Sequence, residues 1–516
     1  MTPEISNSGK AGKSGNARRY AVIHPAIGHW LVRERTTLPE EKVMMCNQPL
    51  DRQKRRGGCM FQQMANWLCG LAGLVMGGCL LLPSATSAAA EPPNIVLIMA
   101  DDLGYGELGC YGATRCRTPR LDQLAATGLR LTDFHSNGSV CSPTRAALMT
   151  GRYQQRCGID GVVTAKKHRN AGMPIAEETL ADLLAQAGYA TGIFGKWHLG
   201  YAPSYSPTRQ GFAEFSGFVS GNIDLFSHID QEGWYDWWRQ QTLVAEPGYA
   251  AHLLTEHGVD FIHRHKDQPF FLYLPHPAPH YPYQGPGDAA NRTIRQGPSP
   301  AGLAEIQTVP ALTGNDAARA YREMVEDLDT QVGRIVDALE ACGLRDNTLL
   351  LFCSDNGGIA KPGIGGDNGP VRGRKGQLYE GGHRVPAIVN WPGRVQPGAS
   401  DQTALTFDLL PTFAELAGAT PTAELDGTSL TDLLVDDRSL PARPLAWLSG
   451  PSMAYREGPW KLLIQKQSVE LYNLKDDLAE ARDLAAEQPE RVRQMQAAAE
   501  KLRAEIRGTT PMQTGS

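Results

Sequence analysis

The 516-residue sequence has no excess of basic charge: 50 Lys+Arg stand against 55 Asp+Glu, a formal net charge of -5. That removes the compositional basis for nucleic-acid binding. It has no closely spaced Cys-x-x-Cys pair among its 10 cysteines, which excludes a cysteine-built zinc module. Its uncharged apolar run Trp67–Leu82 has only 16 residues, short of the roughly 20 that a membrane-spanning helix needs. Charged residues are few, at 20%, and hydrophobic residues make up 41%, so a packed core is feasible and wholesale disorder is excluded. What is plentiful is Gly (55) and Pro (35), too many for a helical bundle and suited to a loop-rich α/β enzyme. The length allows one large α/β domain with an appendage.

Charge is unevenly placed. Residues 1–58 hold 11 Lys+Arg against 5 Asp+Glu, residues 59–90 hold none, and the remainder carries a net -11. Arg52, Lys54, Arg55 and Arg56 precede the apolar run, and Pro83 and the small residues Ser84–Ala90 follow it. Basic, apolar and small-residue zones in that order predict a secretory signal, with a retained anchor as the alternative. Residues 1–58 read as a polar basic extension, and Met44, Met45 or Met60 as alternative starts. The expectation is therefore an exported protein with no stable span once the signal is cleaved. An oxidising compartment permits Cys110–Cys116 or Cys342–Cys353 pairs, with connectivity not assignable from spacing.

Four apolar segments end in polar clusters. Asn94–Ala100 runs into Asp101-Asp102, Ala190–Phe194 into Gly195-Lys196-Trp197-His198, Pro269–Leu274 towards His276 and His280, and Thr348–Cys353 into Asp355-Asn356-Gly357. Helical patterns at 175–187, 252–265 and 316–341 lie between them, and such alternation predicts a mostly parallel sheet with helices on both faces. Ligands in such sheets sit at the carboxyl ends of the strands, where these clusters fall. Asp101, Asp102, Asp355 and Asn356 offer the hard oxygen ligands that favour Ca²⁺ or Mg²⁺. Lys196 adds a charge for an anion, and His198 and His280 are of the type that moves protons near neutral pH.

The segment Cys141-Ser142-Pro143-Thr144-Arg145 reads as a helix start. A thiol there could have a depressed pKa and act as a nucleophile, and Arg145, one turn on, could reach back to an anion or to residue 141. A small buried cysteine before an ordinary core helix is the plainer reading of the same residues.

Cys141-x-Pro143-x-Arg145 followed by Thr150-Gly151-Arg152 resembles the sulfatase family signature within the alkaline phosphatase superfamily. The resemblance extends through Asp101-Asp102-Leu103-Gly104, Gly195-Lys196-Trp197-His198, Pro279-His280-Tyr281-Pro282, Ser354-Asp355-Asn356-Gly357, Arg374-Lys375-Gly376 and Leu425-Asp426-Gly427-Thr428. It implies that Cys141 is oxidised to formylglycine by a maturation enzyme, and that one Ca²⁺ is held by Asp101, Asp102, Asp355, Asn356 and the modified residue 141. It also implies that one hydroxyl of the hydrated aldehyde attacks sulfur while Asp355 helps accept its proton. Lys196 and Lys375 would bind sulfate oxygens and Arg145 would steady the diol. His280, with Lys375, would protonate the departing alcohol, and His198 would take the second proton. The implied substrate is a sulfated small molecule or glycan.

The expected fold is α/β: a large mostly parallel, alkaline-phosphatase-like sheet covered on both faces, plus a small C-terminal antiparallel sheet with one helix. The expected catalytic domain is 91–420 and the smaller α+β part 421–516. Residues 403–418 read as a closing helix, and His383 carries no assigned role. Gly233–Arg239, with three tryptophans, suits either sugar stacking or core packing. Loop 283–314 is expected at the surface beside His280, and Asn137 and Asn291 fit the glycosylation pattern. The competing functions are a phosphate mono- or diester hydrolase of the same superfamily, and a secreted glycan-binding relative that never turns over. Cys141 with Pro143 and Arg145 argues against the first, since those relatives use Ser or Thr as nucleophile. The filled catalytic positions argue against the second.

Overall fold

The computed structural model describes residues 91–508 together with the short strand Gln513–Thr514. The basic extension and the apolar signal-like segment lie outside the described residues. Among the described residues no helix is long and apolar enough to cross a membrane.

The main sheet has ten strands: β1 (Asn94–Ala100), β2 (Leu129–Leu131), β3 (Ala190–Lys196), β4 (Glu214–Phe218), β5 (Trp238–Arg239), β6 (Thr242–Leu243), β7 (Phe270–Pro275), β8 (Thr348–Ser354), β9 (Ala387–Asn390) and β10 (Gly398–Ser400). Their spatial order is β10-β2-β9-β8-β1-β7-β3-β4-β5-β6. The five central strands, β8 to β4, run parallel, and antiparallel partners flank them at both sides.

Eight helices matter here: α1 (Pro119–Ala126), α2 (Cys141–Thr150), α3 (Leu180–Gln186), α4 (Ala250–Arg264), α5 (Gly314–Ala341), α6 (Leu409–Leu416), α7 (Thr431–Asp436) and α8 (Pro489–Arg507). Side chains alternate across a strand, so Val96 and Ile98 of β1 pack with α1, α4 and α5 on one face. Ile95, Leu97 and Met99 pack with α2, α3, α6 and α7 on the other. Burial on both faces is why these strands read as unbroken apolar runs.

A second, four-stranded antiparallel sheet comprises β11 (Leu445–Ser449), β12 (Ser452–Glu457), β13 (Trp460–Ile464) and β14 (Val469–Asn473). With α8 it packs on Ala147, Tyr153, Leu378 and Phe407 of the larger part.

Several expectations need correction. The helix expected over 175–187 begins only at Leu180, because Thr179 and Asp182 form a reciprocal capping box that sets its start. Residues 403–418 are not one helix. Ala404–Leu405 pairs with Phe134–His135, and the Asp408 carboxylate accepts from Leu405 N at 2.7 Å before α6 begins. All six described cysteines are free. Cys353 packs on the α2 face of the sheet and Cys342 on the opposite face, which forbids their pairing. Cys116 donates to Glu107 at 3.3 Å instead of bonding Cys110. Asn137 is fully buried, its side-chain oxygen accepting from Thr406 Oγ1 and Phe407 N at 2.7 Å each, so it is closed to glycosylation in the folded chain.

Gly195 precedes Lys196 with φ 147°, and a Cβ there would collide with the Pro275 carbonyl of β7. Gly195→Ala is expected to cost about 2–3 kcal/mol, since neither backbone can yield inside a paired sheet. A thermal melt checks this, and an unchanged midpoint would refute the close-packing argument.

Candidate active site

The carboxyl ends of β1, β3, β7 and β8 meet the start of α2. Asp101 and Asp102 follow β1, Lys196 closes β3 with His198 two residues on, His280 lies in the turn after β7, and Asp355 and Asn356 follow β8. Asp102 and His198 both have positive φ, 67° and 60°, a conformation that non-glycine residues keep only when their surroundings hold them in it.

Every residue of α2 is buried. The helix is anchored by Thr144, whose hydroxyl donates to Gly138 O and accepts from Gly138 N, both at 3.1 Å, and by Ser142, which accepts from Val163 N at 3.0 Å. Cys141 stands at its first turn with Sγ 3.6 Å from Asp101 Oδ1 and 3.4 Å from Lys375 Nζ. Burial, reinforced by the Asp355 carboxylate, pushes its thiol up to about 12. Of the two readings of this residue, the buried cysteine fits and the depressed thiol does not. A helix end contributes about 0.3–1 kcal/mol, less than the penalty for ionising a thiol in a fully buried position.

Arg145 turns to the Asp355 carboxylate. Its Nε and Nη2 both donate to Asp355 Oδ2, at 3.1 and 2.7 Å, and its Nη1 donates to Lys196 O at 3.0 Å. Burial opposes the charge on Asp355, but Arg145 and Lys196 overcome it and hold the carboxyl below its usual range. Lys196 Nζ donates to Asp101 Oδ2 at 2.7 Å, and Lys375 Nζ to Asp102 Oδ1 at 2.6 Å. Burial likewise works against Asp102, yet Lys375 and His280 keep it well below the carboxylate range. Asp101 goes the other way: burial raises it to about 7 against the pull of Lys196, with Asp355 and Asp102 adding to the rise.

Three carboxylates are thus crowded together in the interior. Asp101, Asp102, Cys141 and His280 offer ligand atoms within 4.8 Å of one another. Asn356 uses its amide nitrogen on Asp102 Oδ1 (2.8 Å) and Gly357 O (3.0 Å), while its buried Oδ1 has no hydrogen-bond partner. Converging carboxylate oxygens and an unpartnered amide oxygen are the donor set of a hard divalent cation.

The histidines have defined tautomers. His280 Nδ1 donates to Tyr281 O at 2.6 Å, which leaves Nε2 facing Asp102 Oδ2 at 3.5 Å. His198 Nε2 donates to Val163 O at 2.9 Å, and its buried Nδ1 is left without a partner. Burial lowers both, His280 to about 3 and His198 well below the ordinary imidazole value, with Lys196 adding to the effect on His198. Cys141, His198, His280 and Lys375 open into a cavity of about 170 Å³ that Tyr201, Ser220, Asn222 and Asp230 also line. Sequence reasoning missed these four, for they lie in loops whose residues carry no spacing signal. His276 is buried elsewhere, beside Asp327 and His252.

All ten residues singled out from the sequence therefore converge on one strand-end cluster. His383 does not. It joins a second buried group at the seam between the two sheets, with His135 Nδ1 at 3.0 Å from its own Nδ1 and Lys461 Nζ at 3.2 Å from its Nε2. Lys461 of β13 pairs with Glu380 at 2.8 Å and Glu480 at 2.9 Å, and Asp133 pairs with Arg384 at 2.9 Å and Arg456 at 2.7 Å. This group also reaches the loop of Lys375, because Arg372 Nη1 donates to Glu480 O at 2.9 Å and Gly381 N to Arg372 O at 2.6 Å.

Residues 93–419 match the Sulfatase family model. Arylsulfatase A of Homo sapiens is 37% identical over 398 residues, covering 71% of this chain and 72% of the relative. N-acetylgalactosamine-6-sulfatase of Homo sapiens is 34% identical over 395 residues, covering 71% and 70%. Among solved structures, Ps i-CgsB in complex with k-i-k-neocarrahexaose is similar with a TM-score of 0.70 and 31% identity, covering 80% of this chain and 93% of that one.

Proposed function

The chain belongs to the sulfatase family and hydrolyses sulfate esters, and from that premise we propose that its substrate is a sulfated sugar, its nucleophile is made from Cys141, and its metal is one Ca²⁺. The observation that carries the nucleophile is the state of Cys141: a buried, un-ionised thiol among three carboxylates and two ammonium groups. Such a thiol is a poor nucleophile, since the thiolate is the reactive form, yet the residue sits where a reacting atom would meet the cations.

Formylglycine at position 141, once hydrated, supplies a hydroxyl nucleophile, and producing it requires a maturation enzyme. Asp101, Asp102, Asp355 and Asn356 would hold Ca²⁺ together with residue 141, and the ion supplies positive charge against the sulfate oxygens. The orphaned Asn356 Oδ1 and the crowded carboxylates support that fit.

The remaining work falls to side chains. Asp355, kept ionised by Arg145, is able to accept the proton of the attacking hydroxyl, and Arg145 fixes its orientation. Lys196 and Lys375 neutralise the non-bridging sulfate oxygens. His280 has its Nδ1–H committed to Tyr281, so any proton given to the departing alcohol leaves from Nε2; the anionic sulfate favours the imidazolium that this needs. Lys375, held charged by Asp102 against its burial, backs that donation. His198 offers the free lone pair of Nδ1 as a base for the second proton.

Sugar sulfates are favoured because the relatives include an N-acetylgalactosamine-6-sulfatase and a structure holding an oligosaccharide. Export is inferred from the basic, apolar and small-residue order of residues 52–90.

The test is release of inorganic sulfate and phosphate from matched esters at equal concentration. Sulfate release is expected to dominate, to fall at least about tenfold on chelation and to return with Ca²⁺. A stronger phosphate rate, or full activity in the chelated protein, would overturn this reading.

A further inference from the structure

Three tryptophans in Gly233–Arg239 divide between two environments. Trp237 is core: it is fully buried, stacks on His228 with centroids 4.1 Å apart, and donates from Nε1 to Glu246 at 2.8 Å. Trp234 and Trp238 are only half-buried, and both line a separate cavity of about 270 Å³. That cavity shares Tyr201 and Asp230 with the one around Cys141, so the two adjoin. Jointly they fall within the roughly 300–1,000 Å³ typical of small-molecule clefts.

A cation overlooks the second cavity. The Arg169 guanidinium lies 4.0 Å from the centre of the Trp234 ring and 5.5 Å from that of Tyr201. Among the described residues its one carboxylate neighbour is Asp230, at 3.8 Å, beyond hydrogen-bond distance. Asp230 is itself engaged, its Oδ1 accepting from the backbone N of Glu232 and Trp234 at 2.9 Å each. Arg169 is thus pre-oriented by aromatic stacking, its guanidinium donors making no hydrogen bond among the described residues, in a chain whose net charge opposes long-range capture of anions.

We propose that this cavity is a subsite for the sugar next to the sulfated one, with the aromatic wall of Tyr201, Trp234 and Trp238 against the ring and Arg169 bound to an anionic substituent, a carboxylate or a second sulfate. The inference rests on assigning the sulfated sugar to the cavity around Cys141. It makes the preferred substrate an acidic oligosaccharide, not an isolated sulfated monomer.

The test uses the full chain, as wild type, Arg169→Ala, Arg169→Gln, Trp234→Ala and Trp234→Phe. Each is assayed on a small aryl sulfate and on three sulfated disaccharides whose second sugar is neutral, uronate-bearing or sulfated. Both Arg169 variants are expected to lose about 10–100-fold in kcat/KM on the two acidic disaccharides, the worth of a charge-assisted hydrogen bond, and less than about twofold on the aryl sulfate. Loss on only one acidic disaccharide would identify the group that Arg169 holds. Trp234→Ala is expected to weaken all three disaccharides, with Trp234→Phe recovering part of the loss. Equal losses on aryl sulfate and acidic disaccharides, or no loss on the latter, would overturn the subsite. Wild-type turnover of the aryl sulfate with none of the disaccharides would overturn it while leaving the catalytic reading intact. Absence of sulfate release from every substrate, in protein carrying the aldehyde, would sink the catalytic reading and the subsite together.

Discussion

Cys141→Ala is expected to lower sulfate release by at least about 10³-fold, the scale seen when an enzyme loses its nucleophile, while the protein stays folded. The substitution removes one sulfur atom from contact with Asp101 and Lys375, and Ala suits a helix. Both lysines keep their carboxylate partners without it. The thermal midpoint should therefore move by a few degrees at most, which separates lost chemistry from lost structure. Mass spectrometry of the tryptic peptide Leu131–Arg145 from wild-type protein completes the comparison. A mass below that of the cysteine form, with reactivity to an aldehyde probe, is expected. Activity within tenfold of wild type in the alanine variant would refute any nucleophilic role for residue 141.

Lys461→Met is expected to be the most destabilising single change at the seam between the sheets. Lys461, Glu380 and Glu480 have no exposed side-chain surface. Removing the lysine strands two carboxylates in the interior, and breaking a buried pair by deleting one partner costs about 3–5 kcal/mol. Arg384 still serves Glu380 at 3.1 Å, so the larger share of the loss falls on Glu480. Burial already raises Glu480, and losing Lys461 would drive it to take up a proton. Adding Glu480→Gln to Lys461→Met should recover part of the loss, and thermal melts of the two singles and the double measure that coupling. A single variant as stable as wild type would mean that the cluster does not hold the sheets together. A drop in activity below the melting range is also expected, because Glu480 and Arg372 brace the loop of Lys375.

What could be read in advance follows from range. Strands β1, β3, β7 and β8 were legible because burial on both faces makes short apolar runs, and the site was legible because each run stops at a polar group. Those signals lie within a few residues of each other. The seam cluster was not legible: Lys461 looks like one charge in an otherwise apolar strand, and of its two carboxylate partners Glu380 lies 81 positions away and Glu480 beyond the end of the sheet. Cysteine pairing failed as a reading for the same reason, since chain spacing does not say which face of a sheet a residue meets. The thiol of Cys141 stayed between two readings because a helix start is visible in sequence and the depth of its burial is not; the buried thiol is the one found. The split among the tryptophans was open for want of the same knowledge, as neighbouring positions in one segment go to opposite environments.

The place of β1 has a consequence for timing. It is the earliest strand among the described residues and lies at the centre of the sheet, yet its hydrogen-bonded neighbours come much later. Asn94 meets Phe270 across 176 positions and Thr348 across 254. At roughly 5–20 residues per second of synthesis, β1 waits on the order of ten seconds or more for β8 to be made. During that interval the centre of the sheet cannot close: both edges of this apolar strand are open until β7 is made, and one stays open until β8 follows. Synthesis thus leaves an interval in which the strand that will form the middle of the sheet must stay apart from other apolar segments until its last neighbour is made.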